Sequence, residues 1–165
     1  MFKVFLVEDE VIVREGIRNN ILWEQYGFHF AGDASDGELA LPLIRKVKPD
    51  LLITDIKMPF MDGLELIRLV RKELPSTKIV IISGYDDFSY AQQAIRMGVE
   101  QYLLKPIVKE KMVEILIALR DKIEAERQQQ EYLAKFQREA QEYETFSRRR
   151  FFEQIVTGGL SVSEI

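Results

Sequence analysis

The chain has 165 residues, of which 47% are hydrophobic and 30% are charged, and its formal net charge at pH 7 is −4. This composition suits one ordinary domain with an additional segment, and the charge gives no sign of nucleic acid or an anionic membrane as a partner. The absence of cysteine excludes disulfides and a thiol nucleophile. No apolar run is long enough to span a bilayer, and acids directly follow the short apolar N-terminus, so we predict a cytoplasmic protein.

Hydrophobic patterning predicts five strands that alternate with five helices. The predicted strands are residues 2–7, 28–31, 51–55, 78–83 and 100–104, and the helices are 11–21, 37–47, 62–73, 86 or 87–97, and one from about 108. Alternation of this kind is typical of βαβ units around a parallel sheet with helices on both faces. We therefore predict an α/β fold with a doubly wound, five-stranded parallel sheet.

Polar residues lie at the ends of most of these predicted strands. The acids Glu8 and Asp9 end the first strand, Asp55 ends the third, Ser83 the fourth and Lys105 follows the fifth. Right-handed crossovers bring the carboxyl ends of all parallel strands to one edge, where open α/β sheets bind ligands. Asp55 alone could equally cap a turn, but capping does not account for the whole set.

Three carboxylates at one edge repel one another, since two unit charges about 4 Å apart cost roughly 4 kcal/mol at an effective dielectric of 20. Either one carboxylate takes up a proton or a cation binds. Oxygen ligands with water favour Mg²⁺ over a Ca²⁺ cage. A carboxylate beside Mg²⁺, a lysine and a hydroxyl is suited to phosphoryl transfer, and Asp55 is the candidate nucleophile because it is central.

The sequence resembles the receiver domain of two-component response regulators over about residues 1–109. The motifs that carry the resemblance are Leu6-Val7-Glu8-Asp9-Glu10, Asp55 with Met58-Pro59 and Met61-Asp62-Gly63, Ser83-Gly84-Tyr85, and Tyr102-Leu103-Leu104-Lys105-Pro106. The resemblance implies the flavodoxin-like receiver fold. Residues 84–91 and 94–98 further resemble the regulators that carry an AraC-type DNA-binding output domain.

The resemblance implies a phosphoacceptor and its metal ligands. Asp55 would accept a phosphoryl group from a sensor histidine kinase. Asp9 and Asp55 would bind Mg²⁺ together with the backbone carbonyl of Lys57, and Glu8 would act through water. The protein would then be no enzyme, beyond catalysing transfer to and loss from its own aspartate.

The resemblance also implies the residues that respond to phosphorylation. Lys105 would pair with the phosphoryl oxygens, Ser83 would hydrogen-bond the phosphoryl group, and Tyr102 would change rotamer with it. The Lys105–Pro106 peptide bond is expected to be cis. Serine stands at position 83 where threonine is common in the family, so the switch hydroxyl lacks a methyl group.

Residues 109–150 contain neither proline nor glycine and are predicted to form one long helix that continues the last receiver helix. Two sets of residues have coiled-coil spacing: Met112, Leu116, Leu119 and Ile123, and then Leu133, Phe136, Ala140, Tyr143 and Ser147. The helix is either a solvated linker or a signalling helix that forms a homodimer. We interpret residues 1–108 as the receiver and 151–165 as the start of a truncated following region.

Three functions fit this sequence. The first is a phosphorylation-controlled receiver that acts on a C-terminal transcriptional output domain, which contacts DNA and is absent from this chain. The second is a phosphatase of the haloacid dehalogenase type, which has a second acid two residues after its nucleophile, where this chain has Lys57. The third is a receiver that serves only as a phosphate sink or docking module.

Overall fold

The computed structural model describes residues 1–84 and 88–156. The strands are β1 (Phe2–Val7), β2 (Phe28–Ala34), β3 (Leu51–Asp55), β4 (Lys78–Ser83) and β5 (Gln101–Leu104). The α-helices are α1 (Val11–Asn20), α2 (Gly37–Val47), α3 (Gly63–Glu73), α4 (Phe88–Arg96) and α5 (Lys109–Val156), and a short 3₁₀ helix spans Trp23–Tyr26.

The strands form one parallel sheet in the order β2-β1-β3-β4-β5. The order reverses direction at β1 and β3, as a doubly wound sheet requires. The predicted α/β class, the strand number and the long final helix are therefore confirmed. The switch in strand order puts the ends of β1 and β3 next to each other.

Each face of the sheet has its own hydrophobic core because side chains alternate along the strands. On one face, inward residues of β1, β3 and β4 pack with Ile17 of α1 and with Met112, Leu116 and Ile123 of α5. On the other face, the alternate residues pack with α2, α3 and Ala94 of α4.

The second strand is longer than predicted. Residues 28–31 were predicted, but β2 continues to Ala34, which pairs with Val7. The register of β1 against β2 shifts by one residue, because Val4 pairs with Phe30 and Phe5 pairs with Gly32, and Ala31 is the extra residue of this irregularity. The predicted starts of α4 at positions 86 and 87 lie outside the described residues.

The first of the two sets with coiled-coil spacing, within residues 112–123, packs inside this chain and is not exposed for contact with a second chain. Met112, Leu116, Leu119 and Ile123 are buried in the core of this chain. Their spacing is equally that of a helix that packs on a sheet. The first compact unit accordingly extends from Met1 to Ile123 and includes the beginning of α5.

The second unit begins at Glu124 and contains the rest of α5. Its large exposed hydrophobic side chains are Tyr132, Leu133, Phe136, Tyr143, Phe146, Phe151, Phe152 and Ile155. Ion pairs one turn apart join Glu144 to Arg148 and Arg149 to Glu153. In the described part of the chain, no helix combines the length and apolar character that crossing a membrane needs.

Candidate functional site

Four strands deliver polar side chains to the carboxyl edge of the sheet. Glu8 follows β1, Asp55 ends β3, Ser83 ends β4 and Lys105 follows β5. Glu8 and Ser83 are fully buried, and Asp55 is only 4% exposed. The structure therefore brings these four predicted site residues to one edge.

Lys105 connects the acids of this edge. Its ammonium donates to Asp55 Oδ2 at 2.9 Å and to Glu8 Oε1 at 2.6 Å, and lies 3.4 Å from Glu10 Oε1. Burial alone lowers the pKa of Lys105, but the hydrogen bonds to Glu8 and Asp55 and their charges outweigh burial and raise it above its ordinary value. Lys105 therefore stays cationic.

The Asp55 carboxylate is fixed at both oxygens. While Lys105 binds Oδ2, the backbone N–H of Ile56 donates to Oδ1 at 2.7 Å. The Thr54 hydroxyl donates to the backbone carbonyl of Asp55 at 2.9 Å. These hydrogen bonds hold the Asp55 carboxylate in one orientation.

The loop after Asp55 closes tightly on the strand end. The N–H of Gly63 donates to the carbonyl of Ile56 at 2.6 Å. A Cβ atom on Gly63 would lie 2.9 Å from the Asp55 carbonyl carbon and still closer to its oxygen. Asp62 accepts from the N–H of Glu65 at 2.8 Å and so forms the N-cap of α3. Only glycine fits where the loop meets β3.

Glu8 has a perturbed charge state. Burial, assisted by the negative charge of Asp55 and opposed by the hydrogen bond from Lys105, raises the pKa of Glu8 to about 7. Its Oε1 is paired with Lys105, whereas Oε2 is buried and has no hydrogen-bond partner among the described residues. Burying an unpaired carboxylate oxygen destabilises the fold unless a proton or a cation binds to that oxygen.

The acids after β1 form a group suited to a hard cation. Carboxylate oxygens of Glu8, Asp9 and Glu10 lie within 4.8 Å of one another. An all-oxygen donor set and the unpaired Oε2 of Glu8 fit Mg²⁺. This acidic cluster could hold a divalent cation.

Of the remaining predicted residues, Ser83 and Pro106 adjoin Lys105. The backbone N–H of Lys105 donates to the carbonyl of Ser83 at 2.7 Å, and the Lys105–Pro106 bond is cis. Tyr102 is half-buried at the margin of the second core. The side chain of Lys57 is exposed, and its ammonium lies 5.4 Å from the ring centre of Tyr90.

Three contributors were missing from the predicted set. Glu10 belongs to the carboxylate group, and Arg14 donates to the backbone carbonyl of Glu8 at 2.7 Å. Gly63 permits the loop to close. Glu10 was visible in the sequence as the third acid of a run, whereas the contacts of Arg14 and Gly63 depend on tertiary structure.

We expect Glu8 to make the metal-free protein less stable as the pH rises from 5 to 8. The folded state keeps a proton on Glu8 up to about pH 7, whereas the unfolded chain loses it near 4.5. The folded state therefore binds more protons in this window, and the free energy of unfolding falls with rising pH. Glu8→Gln removes this titration, so its stability relative to the parent should increase by up to roughly 3 kcal/mol across the window.

Urea unfolding in EDTA at several pH values measures this difference. Glu24→Gln, at an exposed acid, is the matched control. A difference between Glu8→Gln and the parent that does not change with pH would contradict the prediction.

Known proteins with similar sequences identify the family of this chain. The family model of the response regulator receiver domain matches residues 4–117. The transcriptional regulatory protein YesN of Bacillus subtilis, which is described as uncharacterized, is 32% identical over 163 residues, covering 99% of this chain and 44% of YesN. The transcriptional regulatory protein HptR of Staphylococcus aureus is 43% identical over 107 residues, covering 65% of this chain and 42% of HptR. The chain thus spans less than half the length of these relatives.

Solved structures of response regulators are also similar to this chain. The REC domain of AraT, a response regulator from Geobacillus stearothermophilus, is 43% identical with a TM-score of 0.73, covering 76% of this chain and 98% of that one. A two component transcriptional regulator AraC from Clostridium phytofermentans is 29% identical with a TM-score of 0.69, covering 78% of this chain and 99% of that one.

Proposed function

The chain belongs to the response regulator receiver family, and we propose that it is a phosphorylation-controlled switch in which Asp55 accepts a phosphoryl group from a sensor histidine kinase. The observation that carries the proposal is the fixed Asp55 carboxylate between the Lys105 ammonium and the N–H of Ile56. An acceptor of this kind is generally not a catalytic enzyme, and we propose that it catalyses only transfer to and loss from its own aspartate.

The transfer forms one bond and breaks another. A carboxylate oxygen of Asp55 attacks the phosphorus, the bond from phosphorus to the donor imidazole nitrogen breaks, and the imidazole leaves with the electron pair. Lys105 then neutralises charge on the phosphoryl oxygens. Because Lys105 already donates to Asp55 Oδ2, little movement is needed to reach that position.

We propose that Asp9, Asp55 and the backbone carbonyl of Lys57 hold Mg²⁺, with Glu8 acting through water. The ion, when bound, supplies positive charge that stabilises the transferring oxygens. The carboxylate group of Glu8, Asp9 and Glu10 supports this proposal because its charges repel without a cation.

We further propose that Ser83 and Tyr102 read the phosphorylated state. Ser83 is buried at the end of β4, and Lys105 donates its backbone N–H to the Ser83 carbonyl. A phosphoryl group on Asp55 adds oxygens that a nearby hydroxyl can donate to. Tyr102 lies two residues before the end of β5 and is only half-buried, so a change of rotamer is sterically open to it.

Mg²⁺-dependent labelling tests the proposed function. We expect acetyl phosphate to add one phosphoryl group to the chain in Mg²⁺ and none in EDTA, as measured by intact mass. Asp9→Asn should reduce the labelling rate at least tenfold at equal Mg²⁺, because it removes a ligand charge, whereas Asp33→Asn, the same change at an acid that pairs with Arg18, should not. Labelling that survives in EDTA, or equal rates for Asp9→Asn and the parent, would contradict the metal assignment.

The likeness to transcriptional regulators supports an output function for the whole protein. We propose that the full-length protein acts in the cytoplasm and controls transcription through a C-terminal DNA-binding region of AraC type. The phosphatase alternative has no support, since position 57 carries a lysine whose ammonium lies over Tyr90. The phosphate-sink alternative differs from this proposal only in lacking an output.

We also propose that the second unit forms a homodimer through its exposed hydrophobic residues. Leu133, Phe136, Ala140 and Tyr143 lie three and four residues apart in turn, as in a coiled-coil seam. The helix that carries them has no other packing partner among the described residues of that unit. We expect the parent chain to dimerise and a version that ends after Ile123 to stay monomeric. Sedimentation equilibrium measures the association of each version, and a second series with beryllofluoride, a phosphoryl mimic, measures whether phosphorylation changes that association. Equal association of both versions would refute the helix as the dimer contact.

A further inference from the structure

The helix of the second unit carries a short apolar seam. Its members are Leu133, Phe136, Ala140 and Tyr143, whose spacing places them along one side of the helix. All four side chains are exposed in the single chain. They belong to the proposed homodimer contact, but an apolar seam does not by itself fix the relative direction of two helices.

Polar residues continue this seam beyond both of its ends. The same spacing reaches Gln129 and then Glu126 in one direction, and Ser147 and then Arg150 in the other. The seam therefore ends in an acid on its N-terminal side and in a base on its C-terminal side. Polar and charged residues in a helix seam decide which pairing forms, because they destabilise the alternatives.

Parallel pairing in register sets every seam residue against its own copy. Glu126 would face Glu126 and Arg150 would face Arg150, and like charges at such positions repel. Phe136 would face Phe136 next to a layer of two small Ala140 side chains, so a wide layer would adjoin a narrow one. A parallel pair is therefore opposed at both ends of the seam and poorly packed in its middle.

Antiparallel pairing about the middle of the seam removes these conflicts. Leu133 then faces Tyr143 of the second copy, and Phe136 faces Ala140, so each apolar residue is covered and large side chains lie against small ones. Equal steps outward along the two helices bring Glu126 of each copy against Arg150 of the other. The charges that repel in the parallel pair attract in the antiparallel one.

Arg150 differs from the two arginines before it. Arg148 pairs with Glu144, and Arg149 pairs with Glu153, both on their own helix. Arg150 has no ion-pair partner among the residues that the structure describes. Its guanidinium can therefore bind an acid of a second chain without breaking an existing ion pair.

Residues beside the seam favour the same orientation. In the parallel pair, Glu139 would face Glu144 of the second copy, and symmetry repeats this repulsion on the other side. The antiparallel pair keeps a single contact between the two Glu139 side chains, near the symmetry axis. It therefore has fewer like-charge contacts.

We propose that two copies of this chain pair through the seam in antiparallel orientation, with Glu126 of each copy bound to Arg150 of the other, an inference that rests on the proposed homodimer. The apolar residues supply the affinity, and the charged residues select the orientation. The two helices then end at opposite ends of the dimer.

Cysteine cross-linking tests the orientation, and the chain contains no cysteine that would interfere. Gln129→Cys and Ser147→Cys are prepared separately in the full chain, since these positions face each other only in the antiparallel pair. Under mild oxidation, we expect an equal mixture to form the mixed disulfide at least fivefold faster than either variant forms its own, as measured by intact mass. Thr145→Cys, on the opposite side of the helix, measures the rate of chance encounters.

Charge reversal tests the ion pairs. Glu126→Arg and Arg150→Glu should each raise the Kd of the dimer at least fivefold, because each replaces two attractive contacts by repulsive ones. The double variant should return to within twofold of the parent. Sedimentation equilibrium at low ionic strength, where exposed charges are weakly screened, measures these constants. Arg138→Glu, the same reversal on the opposite side of the helix, should stay within twofold of the parent.

The outcomes separate the inference from the homodimer itself. Faster cross-linking of the single variants than of the mixture overturns the antiparallel assignment, and so does an unchanged Kd for Glu126→Arg. A parent chain that stays monomeric overturns the proposed homodimer and the inference with it. Acetyl phosphate should label every variant as it labels the parent, since all substitutions lie in the second unit, and this confirms that the first unit is folded.

Discussion

Asp55→Asn is expected to abolish phosphorylation of this chain. The amide has no anionic oxygen with which to attack phosphorus, but it matches the carboxylate in size. Its oxygen can still accept from the Ile56 N–H, which reaches Oδ1 at 2.7 Å in the parent. The fold should therefore persist, and the loss should be chemical. Intact mass after incubation with acetyl phosphate and Mg²⁺ should show one added phosphoryl group on the parent and none on the variant.

The matched control for this substitution is Asp33→Asn. Asp33 lies near the end of β2 and forms an exposed ion pair with Arg18 at 3.1 Å. Asp33→Asn therefore replaces a carboxylate by an amide near the same sheet edge without changing Asp55. It should label as the parent does. Full labelling of Asp55→Asn, with the modified residue mapped elsewhere, would refute Asp55 as the acceptor.

The parallel topology made the centre of this site predictable. If β3 and β5 are strands of one parallel sheet, their carboxyl ends must lie at the same edge. The sequence alone therefore predicts that Asp55 and Lys105 lie at one edge. The contact of 2.9 Å between them follows from this rule together with the length of the lysine side chain.

Spacing failed where two kinds of packing share one period. Met112, Leu116, Leu119 and Ile123 fit a coiled-coil seam and a sheet-facing helix equally well, and the structure buries them in their own domain. Which surface covers an apolar stripe depends on distant parts of the chain, so a local pattern cannot decide it. The pKa of Glu8 also depends on burial and on Lys105, which contacts Glu8 but lies 97 residues away in the sequence, so a local pattern cannot predict it.

Gly63→Ala is expected to lower the free energy of unfolding by about 3–5 kcal/mol. The added Cβ would meet the Asp55 carbonyl oxygen and lie 2.9 Å from Ile56 Cα. Both are backbone atoms of a buried strand end, so they cannot move aside as a flexible side chain could. Relief requires opening the hydrogen bond from Gly63 to Ile56, which is 2.6 Å long. Urea unfolding monitored by Trp23 fluorescence measures the change.

Gly16→Ala makes the same chemical change with the opposite expected sign. Gly16 lies within α1, where a Cβ would meet only Asn20 Nδ2 at 3.9 Å. Alanine has the higher helix propensity, so this variant should gain about 0.5–1 kcal/mol. Because both substitutions add one methyl group, their difference isolates the close approach at the strand end. If Gly63→Ala stays within about 1 kcal/mol of the parent, the loop does not close on Asp55 in solution. Where Gly63→Ala still folds, its labelling by acetyl phosphate should fall as well, since the same displacement moves the peptide that orients the acceptor.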